Sequence, residues 1–101
     1  MGKPVENSDV GRKAAETLAA KVFSWTTEEA DRLNAFMAMT GASPADLVRN
    51  INEPRFLGTV LDFLLTDDAM IKDFCDTQGL PYTAPMQARA LLPGGESWNW
   101  T

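Results

Sequence analysis

Apolar residues recur three and four positions apart along most of the chain, and no stretch alternates with the period of two that marks a half-buried strand. Ala14, Ala15, Leu18, Ala19, Val22 and Trp25 line one side of a first helix, with Glu16, Thr17 and Ser24 opposite. Ser8 or Asp9 is placed to cap it, which leaves residues 1–8 as a flexible N-terminus. Thr26 and Glu29 have the T-x-x-E spacing of a capping box, so the pattern predicts a new helix there and not a continuation. Ala30, Leu33, Phe36 and Met37 form the buried face of this second helix, and Gly41 ends it. Ser43, Pro44 and Asp46 supply an N-cap, a first-turn proline and an acid at the positive end of the helix dipole. They open a short third helix that must stop before Pro54.

The segment "PRFLGTVLDFLL", residues 54–65, reads differently. At about 100° per residue, Arg55, Gly58, Thr59 and Asp62 fall in a narrow polar strip. Phe56, Leu57, Val60, Leu61, Phe63, Leu64 and Leu65 fill the rest. One neighbour cannot cover so wide an arc, so this fourth helix is predicted to be the central element. Gly58, lacking a Cβ, suits a close approach by another backbone. Thr66 is placed to cap a fifth helix with Asp67 and Asp68 in its first turn and Met70, Ile71, Phe74 and Cys75 on its buried face. Gly79 and Pro81 end it. Thr83 and Pro85 open a sixth, with Ala84, Ala88, Leu91 and Leu92 on one face, which "PGG" at 93–95 terminates. The expected fold is therefore all-α: one compact bundle of five to six short helices over residues 9–95, built around residues 54–65, with a Trp-bearing tail at 96–101.

Composition narrows the function classes. With 101 residues, 45% of them hydrophobic, the chain is one domain able to bury a modest core without a metal or disulfides. A net charge of −5, from 14 acids and 9 bases, disfavours broad contact with nucleic acid or an anionic membrane. No apolar run approaches the roughly 20 residues that span a bilayer. Residues 1–13 lack the apolar centre of a signal peptide, so a cytoplasmic location is expected. The absence of histidine, with a single cysteine, removes His-dependent triads and dyads, and zinc or iron–sulfur sites made within one chain.

The densest acids are Asp62, Asp67, Asp68, Asp73 and Asp76. They could in principle serve a hard cation, but their spacing matches no calcium loop, and a capped helix start explains the pair at 67–68. Cys75, between Phe74 and Asp76, reads as a buried, inert thiol. The break "MTGASPADLVRNI" is compatible with helix-turn-helix, yet its second helix carries only Arg49 as a base. Lys3, Arg12, Lys13 and Lys21 are interrupted by acids and read as a solvated face. Trp98 and Trp100 are the candidate interaction residues. Two positions apart in an extended tail, they point the same way, either folding back on the bundle or anchoring a partner.

The segments "FMAMTGASPADLVRNINEPRFLGTVLDFLL" and "FCDTQGLPYTAPMQARALLPGG" resemble a small bacterial family, seen mostly in alphaproteobacteria and described as a domain of unknown function. The likeness spans roughly residues 14–95. Its most specific parts are Phe56-Leu57 with residues 60–65, the Gly41…Pro44 break and the Leu91-Leu92-Pro93-Gly94 ending. It implies a helical cytoplasmic protein of about this length and carries over no activity, cofactor or catalytic residue. The sequence reading is thus a non-enzymatic adaptor or regulatory module that binds an unidentified protein, with no cofactor, no nucleic acid and no membrane. The alternatives are a carboxylate-based, metal-dependent activity of residues 62–76 and a nucleic-acid-binding protein.

Overall fold

Six helices follow one another in the computed structural model, which describes the backbone of residues 4–93 and side chains from residue 11: α1 (Pro4–Thr27), α2 (Ala30–Thr40), α3 (Pro44–Asn50), α4 (Pro54–Leu65), α5 (Asp68–Gln78) and α6 (Ala84–Ala90). No strand occurs among the described residues, so the expected all-α class holds. α1, α4 and α6 pack on one another pairwise. α2 packs on α1 and α4, and α5 on α4.

α4 is the centre. Phe56, Leu57, Gly58, Val60, Leu61, Phe63 and Leu64 are all buried. Each large side chain withdrawn from water contributes about 1.5–3 kcal/mol before chain entropy is set against it. Phe36 of α2 meets three rings, Phe23, Phe56 and Phe63, at centroid distances of 6.0, 5.9 and 5.4 Å with interplanar angles of 65°, 84° and 86°. These edge-on contacts place the positive rim of one ring against the negative face of another, worth about 0.5–1.5 kcal/mol beyond area burial. They fix how α1, α2 and α4 meet.

Several helix ends lie where local sequence put them. Gly41 and Gly79 adopt left-handed backbone with φ of 78° and 68°, conformations an L side chain enters only with strain. At α3, Ser43 Oγ accepts from the Asp46 N–H at 3.2 Å and Asp46 Oδ2 accepts from the Ser43 N–H at 2.9 Å, a complete capping box. Leu80 folds back after Gly79, its N–H donating to the Cys75 carbonyl at 2.9 Å.

Other ends differ. α1 begins at Pro4, upstream of Ser8 and Asp9, so residues 4–8 continue the first helix's backbone; proline suits a first helical turn. The Thr26–Glu29 box does not form. Thr26 is fully buried, its hydroxyl donating to the Val22 carbonyl at 2.8 Å, so α1 runs on to Thr27 and α2 starts after Glu29, which makes no side-chain cap. Burial of Thr26 against the core outweighs the local capping signal. At α5 the cap is Asp67, not Thr66: Asp67 Oδ1 accepts from the Ala69 N–H at 2.8 Å, while Thr66 donates to the Phe63 carbonyl at 2.7 Å and closes α4. Ala30 is exposed, and so is Leu91 at 47%; α6 buries Pro85 and Ala88, and Leu92 just beyond it, in place of Leu91.

α6 is clasped to α4 by Arg89. Its Nε donates to Asp62 Oδ1 at 2.6 Å and its Nη2 to Asp62 Oδ2 at 3.3 Å, while Nη1 donates to the carbonyls of Leu92 and Pro93 at 3.0 and 3.4 Å. Gly58 lies beneath this clasp. A Cβ placed there would stand 2.7 Å from the Pro93 carbonyl oxygen, so the close backbone approach expected at Gly58 is present.

Candidate functional site

Three of the five acids at residues 62–76 have separate structural partners. Asp62 holds Arg89, Asp67 caps α5, and Asp76 accepts from the Tyr82 hydroxyl at 2.7 Å, a bond that raises the tyrosine pKa. Among the described residues no three Asp, Glu or Cys side chains converge into a group that could hold a metal ion. Cys75 is fully buried; burial first, then the Asp76 carboxylate, pushes its thiol up and away from thiolate chemistry. Within α3, after the α2–α3 break, Arg49 leans on Asp46 at 3.3 Å, which lowers the positive charge that segment could offer a phosphate. Arg12 pairs with Glu16 at 3.6 Å on the face of α1 that read as mildly basic. Trp98 and Trp100 lie outside the described residues.

A surface groove of about 580 Å³ opens where α2 faces the corner between α4 and α5. Both α2 and α5 pack on α4, but they have little contact with each other, which leaves a slot over the C-terminal end of α4. Phe63 forms its floor. Ala35 and Met39 of α2 make one wall, and Met70 of α5 makes the other. Met39 is 47% exposed, a large apolar side chain left in water. Asp31, Thr66 and Asp67 stand at the rim.

Arg32 is the cation of this groove, and most of it is engaged. Its guanidinium carbon sits 3.8 Å from the ring centroid of Trp25, itself buried, and Nη2 stands 3.6 Å from Glu29. Its side chain is 16% exposed, and its buried Nε meets no hydrogen-bond partner among the described residues. The aromatic face substitutes in part for that missing acceptor. This pairing joins the last turns of α1 to the first turn of α2 and was illegible in the sequence. Trp25 and Arg32 are separated by a helix break, and no period relates them.

A small all-α bundle whose central helix is clasped at one side and whose surface carries an apolar, acid-rimmed groove is the class that fold and geometry define. The chain matches the family described as "Protein of unknown function (DUF3572)" over residues 12–95, and it belongs to that family. No curated protein and no solved structure matches it. The matched span takes in Gly58, Asp62 and Arg89, the parts of the clasp, along with the groove. Among the described residues no helix is long and apolar enough to cross a membrane.

Proposed function

We propose that the protein is a non-enzymatic interaction module that binds another protein through the groove between α2 and the α4–α5 corner. One observation carries this reading: an open apolar slot of about 580 Å³ between two helices, with Met39 and Met70 on opposite walls over Phe63. Unbranched methionine side chains repack around different shapes at little cost, which suits an adaptable binding surface. A cytoplasmic place of action in a bacterial cell accompanies the proposal.

The test is site-specific photo-crosslinking in the native host. A photoreactive residue at Met39 should give a discrete adduct with another protein. The same residue at Val48, 78% exposed on α3 and away from the groove, should give none. No adduct at Met39, or the same adduct at both positions, would defeat the proposal.

A further inference from the structure

Resting on that reading, we infer that the occupant of the groove is a basic amphipathic helix of the partner, which lays its apolar face on Met39, Phe63 and Met70 and sets Lys or Arg beside Asp31 and Asp67. Charge decides the sign. The two carboxylates stand at the rim, while the cation beside them, Arg32, is stacked on Trp25 and drawn toward Glu29. Arg32 keeps its charge, but Glu29 at 3.6 Å offsets it, so the rim carboxylates Asp31 and Asp67, the second also the α5 cap, leave the groove with a surplus of acid on a chain whose net charge is −5. A basic segment is steered toward such a surface, and an acidic one is repelled.

Shape decides the conformation. The walls are two eleven-residue helices, α2 and α5, held apart by the end of α4. A slot between helices accepts the ridge of a third, with anchors at i, i+4 and i+7. Strand addition requires an unpaired sheet edge, and the described residues contain no strand. The chain's own last residues suit the slot poorly in charge: in "GGESWNWT", residues 94–101, the ionisable side chain is Glu96. They also follow Pro93, which is seated over Gly58 on the polar strip of α4 and not over Phe63.

The experiment uses the full chain with ¹³C-labelled methionine methyls, which separates Met39 and Met70 from Met86, 60% exposed on α6. The probes are two synthetic amphipathic peptides with identical Leu spacing, one with Lys and one with Glu at every polar position. The Leu/Lys peptide should shift Met39 and Met70 saturably and leave Met86 in place, and the Leu/Glu peptide should shift none. The double variant Asp31→Asn, Asp67→Asn keeps the α5 cap, since asparagine also caps, and should weaken binding about tenfold, the equivalent of roughly 1.4 kcal/mol. Equal shifts at Met86, equal binding of both peptides, an unchanged Kd in the double variant, or silent Met39 and Met70 each overturn the inference. So does a movement of Met39 and Met70 on deleting residues 94–101 without peptide, which would assign the groove to the chain's own tail. A discrete Met39 crosslink to a partner whose bound segment is not basic defeats this inference while the interaction-module reading stands; loss of the crosslink defeats that reading itself.

Discussion

Substituting Gly58 by alanine tests the clasp through the sign of the effect. In an open helix interior, glycine is less favourable than alanine by about 0.8–1.0 kcal/mol, so Gly58→Ala would stabilise α4 if nothing stood over it. Here the added Cβ would meet the Pro93 carbonyl oxygen at 2.7 Å and Arg89 Nη1 at 3.2 Å. The oxygen belongs to backbone and must retreat by several tenths of an ångström, straining its 3.4 Å bond from Arg89 and the 3.0 Å bond to the adjoining Leu92 carbonyl. Overpacking of this kind costs about 1–3 kcal/mol. Less the propensity gain, Gly58→Ala should range from neutral to destabilising by about 2 kcal/mol, and each 1 kcal/mol lowers Tm by roughly 4–8 °C in a domain of this size. Urea denaturation followed by far-UV circular dichroism measures it. In an Arg89→Ala background, Pro93 is released and the same substitution should become neutral or stabilising, a coupling that a double-mutant cycle isolates. A Gly58→Ala chain about 1 kcal/mol more stable than the parent would refute the contact.

Truncating Leu61 or Leu64 to alanine, both fully buried, should each cost about 2–5 kcal/mol in urea denaturation; losses below roughly 1 kcal/mol at both would mean that α4 is not the centre of the core. Asp67→Ala should cost about 0.5–2 kcal/mol through the lost α5 cap and Asp67→Asn much less, and equal losses would show that the side chain does not cap. Asp46 has its carboxyl held below the ordinary range, chiefly by the Ser43 backbone N–H. The fold therefore favours its ionised form: its contribution is complete above the unfolded carboxylate value near 3.9 and is lost as pH falls through the lower folded value. The stability difference between the parent and Asp46→Asn should accordingly shrink in acid, and a difference constant from about pH 6 to pH 2 would contradict the assignment.

Sequence signals were sufficient where the deciding partners lie within one turn. The left-handed glycines at 41 and 79, the Ser43–Asp46 box and the proline starts of α3 and α4 are local chemistry, and the apolar arc of residues 54–65 left its helix no place but the centre. Local signals misled where a distant contact prevailed: Thr26 looks like a cap but is drawn into the core, and Leu91 shares the helical period of α6 yet faces water. The groove could not be read at all. Phe63 and Met70 look like core positions on their own helices, Met39 lies outside the face read as buried on the second helix, and the slot exists because α2 and α5 diverge over α4. The Asp62–Arg89 pair, 27 residues apart, was equally hidden; a charge inside an apolar helix such as Asp62 was its one trace.

The placement of the polar strip on α4 bears on the order in which a growing chain acquires its partners. When α4 emerges, α1 and α2 have been made and can receive much of its apolar arc, and α5 follows at once. α6 comes later. Asp62 waits for Arg89, 27 residues downstream, which at bacterial and eukaryotic elongation rates of about 5–20 residues per second is roughly 1–5 s. The side of α4 left open for that interval carries Gly58 and Asp62, a bare backbone and a carboxylate, groups that water solvates well. Placing the late-arriving helix over the hydrophilic side spares the nascent chain an exposed run of leucine and phenylalanine while translation continues.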